Sequence, residues 1–339
     1  MESRALERLV QGEDLSKDEA RNLMKSILDG RLDEPVTASI LTALKMKGET
    51  ADEIVGFAQA VRDAQITVNP GVAPVVDTCG TGGDRKGTFN ISTTTAFVVA
   101  ACGVYVAKHG NRSVSSLCGS ADLLAELGVD IDIEPDRVRE CIRETGVGFL
   151  FAPRFNPSLG RVMPVRRALG FPTVFNILGP LANPARAQGQ VLGVNRADLV
   201  PLIGKALSSL GVKKAFVVHG CDGMDEFTIT CESIICEVSD GKTKTYTLAP
   251  EDIGISRYRA DELQGGDART NALIFMEILQ GKGGARMDAV VANAALALVA
   301  SGIAKTPGEG VEIARQAIIC GEALNRFKCF ASFASGRFD

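Results

Sequence analysis

The feature that most constrains the fold is a series of short apolar segments that alternate with stretches of helix length. The segments are residues 72–76, 104–107, 147–151, 190–194 and 215–218. Apolar runs of this length, bounded by polar or glycine-rich sequence, are typical of strands buried on both faces. Because helix-length stretches separate them, we predict crossover connections, and therefore an α/β domain with a mainly parallel central sheet.

Two later segments predict a different kind of connection. Residues 234–238 and 243–248 flank the four-residue turn Ser-Asp-Gly-Lys at 239–242. A short polar turn with Asp-Gly at its centre, between two strand-like runs, indicates a β-hairpin. We therefore expect a hairpin in addition to the parallel strands.

The N-terminal part of the chain carries helix signals and no strand signal. Two capping-box patterns mark helix starts, Ser16 with Glu19 and Thr50 with Glu53. We predict a small helical domain over residues 1–69 and a large α/β domain over residues 70–339. The proline-rich segment 161–190 is expected either to join the helical domain or to act as a hinge between the two domains.

The composition argues against several classes of function. The chain has 339 residues, a net charge of −4, 5% aromatic residues and no Trp. Proteins that hold nucleic acid or a membrane surface by bulk charge are normally basic, so we expect neither partner. The nine Cys form no CxxC pair and there are only two His, which argues against zinc and excludes a three-His metal site.

The sequence also bears on where the protein works. No apolar run reaches the roughly 18 residues that a membrane helix needs. Residues 1–21 are charged and polar and lack the apolar core of a signal peptide. We therefore expect a cytoplasmic protein whose Cys are free thiols.

The strongest motif follows the segment 72–76. Residues 77–84 read Asp-Thr-Cys-Gly-Thr-Gly-Gly-Asp, and residues 88–93 read Thr-Phe-Asn-Ile-Ser-Thr at the start of a predicted helix. A glycine-rich turn after a parallel strand lets backbone N–H groups approach a phosphate, and hydroxyls at the helix start add donors. The glycine spacing fits neither the dinucleotide-binding nor the Walker pattern. The motif therefore predicts another kind of phosphate loop, with a tight turn and an ordinary helix cap as the alternative.

A second polar loop is expected after the segment 104–107. Residues 108–116 read Lys-His-Gly-Asn-Arg-Ser-Val-Ser-Ser, and residues 119–122 read Gly-Ser-Ala-Asp. Two cations and several hydroxyls suit a ligand rich in oxyanions. A solvated basic loop is the alternative, and His109 is a candidate for either a base or a structural residue.

Two further places offer groups for binding. The segment 219–226 ends in Asp225-Glu226. Adjacent carboxylates make a poor acid–base pair but suit Mg²⁺, which takes one or two carboxylates together with water and substrate phosphates; an ordinary acidic turn is the alternative. Arg166 could form a bidentate contact with a carboxylate or phosphate, although most Arg residues on helices are solvated.

Together these motifs resemble the anthranilate phosphoribosyltransferase family. The match covers residues 80–84, 89–93, 108–116, 119–122, 164–184 and 223–226. The resemblance implies a helical domain joined to an α/β domain, and a homodimer formed through the helical domain. It also implies Mg²⁺ as cofactor and transfer of the phosphoribosyl group from phosphoribosyl pyrophosphate to the amine of anthranilate, in tryptophan biosynthesis.

The resemblance further implies roles for individual residues. The donor-binding residues would be Gly80, Gly83, Asp84, Thr88, Asn90, Ile91, Ser92, Thr93, Lys108, His109, Gly110, Asn111, Arg112, Ser113, Val114, Ser115, Ser116 and Ser120. The acceptor-binding residues would be Gly80, Asn111, Asn156 and Arg166, and the metal-binding residues Ser92, Asp225 and Glu226. No general acid or base is assigned, because an aromatic amine is an uncharged nucleophile at neutral pH. Lys108, Asn111 and Arg166 would orient the substrates and stabilise developing charge.

The chain departs from the family pattern at two places. Family members commonly carry His immediately before the proline at position 157; here Asn156 occupies that position, and its amide cannot titrate near neutral pH. Arg85 and Lys86 add two cations beside the phosphate loop. Asn156 leaves open transfer to a different aromatic amine. A same-fold pyrimidine nucleoside phosphorylase and a non-catalytic, nucleic-acid-binding paralogue are further alternatives, against which the motifs and the acidic net charge argue.

Overall fold

A seven-stranded sheet forms the centre of the computed structural model, which describes residues 2–113 and 116–336. The strands are β1 Val75–Gly80, β2 Tyr105–Gly110, β3 Val147–Phe151, β4 Gly189–Gly193, β5 Lys214–Gly220, β6 Ser233–Ser239 and β7 Lys242–Leu248. Their order across the sheet is β3-β2-β1-β4-β5-β6-β7. The first five strands in that order are parallel, and β6 and β7 are antiparallel. The predicted α/β class with a mainly parallel sheet is confirmed.

The two antiparallel strands β6 and β7 form the predicted hairpin. Ser239 pairs with Lys242 across the two-residue turn. Asp240 and Gly241 both have positive φ, 46° and 81°. A two-residue turn with positive φ at both positions matches the right-handed twist of the strands that it joins, which is why Asp-Gly is found there.

Strands β1, β2 and β5 extend beyond the ends that the apolar segments predict. Asp77, Lys108 and His219 therefore lie within strands, and the prediction that they lie in loops is wrong. The reason is that backbone pairing does not require apolar side chains. In β1, for example, pairing continues until Gly80 lies opposite Gly193 of β4.

The described residues form fifteen α-helices. They are α1 Glu2–Val10, α2 Lys17–Leu28, α3 Glu34–Lys47, α4 Ala51–Ala64, α5 Ile91–Ala101, α6 Ser120–Glu126, α7 Pro135–Thr145, α8 Ala152–Phe155, α9 Met163–Leu169, α10 Phe175–Leu181, α11 Leu199–Ser209, α12 Ala268–Leu279, α13 Ala285–Ser301, α14 Pro307–Ile319 and α15 Glu322–Ala334. Three 3₁₀ turns span Pro157–Val162, Pro250–Ile253 and Ala260–Leu263. The capping boxes predicted at Ser16 and Thr50 both form, and they begin α2 and α4.

The first four helices form one layer with residues 157–181. Leu41 and Phe57 from the N-terminal helices share a buried core with Val165 of α9 and Leu178 of α10. Part of the proline-rich segment therefore packs with the N-terminal helices, although Phe57 and Val165 are 108 residues apart in the chain.

Helices cover both faces of the sheet. In β5, Phe216 and Val218 contribute to the core that contains α13, whereas Ala215 and Val217 contribute to the core that contains α11. Successive strand residues point to opposite faces, so α13 and α11 lie on opposite sides. Because both faces are covered, a ligand reaches the sheet at the edge where the parallel strands end. No helix within the described residues is both long enough and apolar enough to span a bilayer.

Candidate active site

The carboxyl ends of β1 and β5 bring the glycine-rich loop beside the Asp225-Glu226 pair. The backbone N–H of Gly82 donates to Asp225 Oδ2 at 2.6 Å, across 143 residues of sequence. The N–H of Ser92, in the first turn of α5, donates to Glu226 Oε1 at 3.2 Å. The two motifs that the sequence singled out separately therefore form one site, at the sheet edge where α/β proteins bind ligands.

Two glycines permit this close approach. A Cβ atom on Gly80 would lie 2.5 Å from Asp225 Oδ2, and a Cβ atom on Gly193 would lie only 1.5 Å from the Asp225 carbonyl oxygen. Neither position has room for a side chain. Gly193 is missed by the sequence analysis; the available signal is its place at the end of the predicted strand 190–194.

Glu226 is buried, Asp225 is half-buried, and the carboxylate of Asp84 lies near both. Burial raises the pKa of Asp225, and the nearby carboxylate of Asp84 raises it further. Burial also raises the pKa of Glu226, with a further contribution from Asp225, while the ammonium of Lys108 acts in the opposite direction. Both carboxyls therefore hold protons more tightly than free carboxyls do, and a bound cation would reverse that preference.

These carboxylates fit a Mg²⁺ ion shared with a substrate. Oδ2 of Asp84 is buried and has no hydrogen-bond partner in the described part of the chain. Within residues 2–113 and 116–336, no three His, Cys, Asp or Glu side chains form a complete ligand cluster. Mg²⁺ commonly keeps several waters and is bound through one or two carboxylates plus substrate phosphates. The site thus suits an ion whose coordination is completed by pyrophosphate, and the metal role of Ser92 stays a prediction.

Lys108 and His109 are buried at the end of β2. The N–H of His109 donates to Asp77 Oδ1 at 3.2 Å. Nδ1 of His109 lies 3.1 Å from the carbonyl oxygen of Gly179; since a carbonyl only accepts, Nδ1 carries the ring hydrogen. Burial lowers the pKa of His109, which favours a neutral ring. The positive charge at this point of the site therefore comes from Lys108.

The loop after β2 is organised by Asp122. Its carboxylate accepts from the N–H groups of Ser113 at 2.8 Å and Gly119 at 3.0 Å, and from the guanidinium of Arg112 at 2.9 Å. Burial alone would raise the pKa of Asp122, but these three donors lower it. Asp122 therefore holds Arg112 and Ser113 in a closed turn. The predicted donor-binding residues Val114 and Ser115 lie outside the described residues.

Ser120 closes the other side of the same loop. Its hydroxyl lies 3.2 Å from both the N–H and the carbonyl oxygen of Asn111. A Cβ atom on Gly110 would lie 2.3 Å from Ser120 Oγ. Gly110, Asn111 and Ser120, all predicted site residues, are thus brought together.

The side chain of Asn90 connects the glycine-rich loop to the loop after β2. Its Nδ2 donates to the carbonyl oxygen of Cys118 at 3.1 Å. Its Oδ1 accepts from Nδ2 of Asn271, on α12, at 2.9 Å. Asn271 is 181 residues away in the chain, and no motif pointed to it.

Of the predicted acceptor residues, Gly80 and Asn111 lie among these loops, whereas Arg166 lies on α9 in the helical layer and Asn156 lies immediately before that layer. The guanidinium of Arg166 lies 5.5 Å from the centre of the Phe175 ring. Burial lowers the pKa of Arg166, and among the described residues no carboxylate pairs with it. Asn156 is buried; its Nδ2 donates to the Ala152 carbonyl oxygen at 3.3 Å, while its Oδ1 has no partner in the same part of the structure. The described contacts do not join Arg166 or Asn156 to the donor loops.

The two basic residues that depart from the family pattern differ in placement. Arg85 has a φ of 58°, in the left-handed region. Lys86 lies against the acidic turn, since a Cβ atom on Gly223 would be 3.0 Å from Lys86 Cε. Asn195, which the sequence analysis also misses, donates from Nδ2 to the Gly82 carbonyl oxygen at 2.8 Å. Asn195 therefore anchors the glycine-rich loop from the segment after β4, just as Asp225 does from the segment after β5.

Known proteins match this chain along most of its length. Family models described as the helical bundle domain and the a/b domain of a glycosyl transferase family match residues 3–64 and 72–324. The anthranilate phosphoribosyltransferase of Anaeromyxobacter sp. is 50% identical over 328 residues, which cover 97% of each chain. That of Pelotomaculum thermopropionicum is 50% identical over 329 residues, covering 97% of this chain and 95% of the relative.

Solved structures of anthranilate phosphoribosyltransferases also match this chain along most of its length. The crystal structure of anthranilate phosphoribosyltransferase from Thermus thermophilus superposes with a TM-score of 0.93 at 41% identity, covering 97% of this chain and 99% of that one. The enzyme from Saccharomyces cerevisiae in complex with phosphoribosyl pyrophosphate and Mg superposes with a TM-score of 0.89 at 28% identity, covering 99% and 98%.

Proposed function

The chain belongs to the anthranilate phosphoribosyltransferase family, and from that premise we propose how its own residues carry out the family's reaction. The reaction transfers the phosphoribosyl group from phosphoribosyl pyrophosphate to the amine of anthranilate, in tryptophan biosynthesis. The bond from the amine nitrogen to C1 of the ribose forms, and the bond from C1 to the pyrophosphate oxygen breaks. The amine gives up one proton, so the products are N-(5-phosphoribosyl)anthranilate and pyrophosphate.

The observation that carries this proposal is the junction between the glycine-rich loop and the Asp225-Glu226 pair. The loop lies beside the N-terminus of α5, where the helix dipole stabilises an anion. The pair supplies two carboxyl groups whose pKa values are raised by desolvation and by neighbouring carboxylates, Asp84 among them. Anion donors and a cation site a few ångströms apart suit a pyrophosphate bound with its metal ion.

Asp225 and Glu226 would hold Mg²⁺, which supplies positive charge to the pyrophosphate as it leaves. Lys108 stabilises the same developing negative charge from the end of β2, where burial keeps water from screening it. Asn111, Arg112, Ser113 and Ser120, from the loop after β2, contact the donor in this proposal. The remaining predicted donor contacts, including Gly83, Thr88, Ile91, Thr93 and Ser116, are part of this proposal.

Arg166 and Asn156 bind the acceptor in this proposal. Arg166 has no carboxylate partner among the described residues, and its guanidinium is partly desolvated, so the carboxylate of anthranilate would supply a missing charge. Oδ1 of Asn156 is a buried acceptor without a donor in the described part of the chain, and an amine N–H would satisfy it. Such placement orients the amine without needing a strong base.

The test is turnover of purified protein with phosphoribosyl pyrophosphate and Mg²⁺, followed as loss of anthranilate fluorescence and as pyrophosphate release. Turnover that depends on anthranilate supports the proposal. Donor binding without anthranilate turnover would favour a different aromatic amine, and a panel of amines would identify it. Absence of donor binding would refute the proposed function.

The role of Asp225 and Glu226 has its own test. Replacing both residues with Ala removes the metal ligands, and we expect turnover to fall by about a hundredfold or more. The variant should stay folded, because the substitution also removes two desolvated carboxyl groups that repel each other. Thermal melting without Mg²⁺ checks the fold. Turnover equal to that of the unmodified enzyme at limiting Mg²⁺ would contradict the role.

We further propose the assembly, the domain boundary and the compartment that the sequence indicates. A homodimer through the helical domain is supported by the exposed apolar side chains of Val10 and Met46 in that layer, with 71% and 83% of their surface accessible. Light scattering of the purified protein tests it, and a monomer would contradict it.

A boundary near residue 69 agrees with the gap between the matched family domains, and limited proteolysis would locate it. A cytoplasmic location agrees with exposed free thiols at Cys221 and Cys329, and cell fractionation tests it.

A further inference from the structure

Asn271 lies outside every motif, yet it lies at the junction of three loops around the donor site. It is 3% exposed, in the first turn and a half of α12. Its Oδ1 accepts the backbone N–H of Gly266 at 2.9 Å, and its Nδ2 donates to Asn90 Oδ1 at 2.9 Å. A buried polar side chain with both ends paired is normally there for a specific reason.

In the chain of hydrogen bonds from Gly266 through Asn271 and Asn90 to Cys118, each donor and each acceptor has only one possible assignment. A backbone N–H can only donate, so Gly266 requires an oxygen on the near side of Asn271. The amide nitrogen of Asn271 must then face Asn90, which must present its oxygen. Nδ2 of Asn90 is left to face the carbonyl of Cys118, a group that can only accept. Fixed backbone groups at both ends thus determine the orientation of both amides.

The orientation of Asn90 matters for the ligand. Its Nδ2 carries two hydrogens, and the carbonyl of Cys118 accepts one of them at 3.1 Å. No other acceptor for Nδ2 occurs in residues 2–113 and 116–336. A rotated amide would present its oxygen on that side, and an oxygen repels a phosphate where an N–H attracts it.

The packing beside Asn271 has no room for an additional side-chain atom. A Cβ atom on Gly265 would lie 2.6 Å from Asn271 Oδ1 and 2.6 Å from Phe89 Cα. The backbone N–H of Gly265 also donates to the carbonyl of Gly87 at 2.9 Å. The residues before α12 are therefore hydrogen-bonded to the glycine-rich loop. Asn271 packs against them, so a small movement of that loop would change its contacts.

We propose that Asn271 is a positioning residue that fixes the amide of Asn90 so that its N–H, rather than its oxygen, faces the phosphoribosyl donor. The inference rests on the proposed function, because it takes Asn90 as a donor contact. Asn271 affects the affinity for the donor and does not affect the affinity for the acceptor, since the side-chain hydrogen bonds of Asn271 are made to Asn90 and the loop before α12.

The test uses Asn271→Leu, which keeps the volume of the side chain and removes both hydrogen bonds. We expect KM for phosphoribosyl pyrophosphate to rise by about tenfold to a hundredfold, the worth of one hydrogen bond to a charged group. KM for anthranilate should stay within about twofold. Thr145→Val is the matched control: Thr145 is 1% exposed, its hydroxyl donates to the Cys141 carbonyl oxygen at 2.8 Å, and it is the last residue of α7. That variant should lose stability to a similar degree without changing either KM.

A double-variant cycle separates positioning from general loosening. In the Asn90→Ala background, adding Asn271→Leu should leave KM for the donor unchanged within about twofold, because the residue through which Asn271 acts is gone. The inference is overturned by a folded Asn271→Leu enzyme with the unmodified KM for the donor, or by losses that multiply in the double variant. If Asn271→Leu does not fold, Asn271→Ser carries the same measurements. An unmodified protein that does not bind the donor at all would instead refute the proposed function.

Discussion

Gly193→Ala should displace the Asp225-Glu226 pair and disable the enzyme. The added Cβ would lie 1.5 Å from the Asp225 carbonyl oxygen, where atoms in real proteins keep at least 3.0 Å. The gap must therefore open by 3.0 − 1.5 = 1.5 Å. Gly193 cannot move away, because β4 is paired with β1 on one side and with β5 on the other. The turn that carries Asp225 must move instead.

The size of that movement sets the expected loss. A misplacement of about 1 Å in a catalytic arrangement costs roughly a hundredfold in rate, so we expect kcat/KM to fall by about two orders of magnitude. Forcing extra volume into a packed region costs about 1–3 kcal/mol of stability. The site should therefore fail while the fold survives.

The assay is anthranilate turnover across a Mg²⁺ titration, with thermal melting on the same samples. Gly189→Ala is the matched control on the same strand. Its Cβ would lie 3.0 Å from the Ala300 carbonyl oxygen and from Val76 Cγ2, so a shift of a few tenths of an ångström accommodates it. A Gly193→Ala enzyme with kcat/KM and Mg²⁺ dependence within about twofold of the unmodified enzyme would refute the reasoning.

Two other predictions concern charge. Arg166→Ala should raise KM for anthranilate by about tenfold or more and leave an uncharged aromatic amine such as aniline unaffected; an equal loss with both acceptors would contradict the carboxylate contact. Because the folded-state pKa values of Asp225 and Glu226 are raised, the stability that they contribute is present at low pH. It is lost as the pH rises from the ordinary carboxyl value of about 4. The metal-free melting temperature should therefore fall with rising pH and recover with Mg²⁺, and a variant with Asp225→Asn and Glu226→Gln should lose that slope; an unchanged slope would contradict the pKa shifts.

The strands show which structural features can be predicted from a local sequence pattern. The apolar segment 147–151 coincides with β3, and the hairpin turn is found where Asp-Gly predicts it. The segment 72–76 locates β1 but not its end, because the polar residues that continue the strand are satisfied by distant partners. Asp77 accepts from His109 and from Asn183, which is 106 residues further along the chain.

The proline-rich segment shows a different limit. Its sequence is compatible with a hinge or with a place in the helical domain, and neither prolines nor apolar spacing decide between them. The structure places Val165 and Leu178 in the same buried core as Leu41 and Phe57. Burial against another part of the chain decided that placement, and no local pattern encodes it.

The sequence alone determined the fold class and the family, and it singled out the segments of the candidate site, because these depend on residues close together in the chain. Glycine, hydroxyl and carboxylate chemistry can be recognised within a few residues of Gly80, Ser92 and Asp225. Only the tertiary structure decided which groups touch. The tight fit at Gly193 and the hydrogen bonds through Asn271 depend on strand order and on helices that pack from far along the chain, and those follow from the packing of the whole molecule.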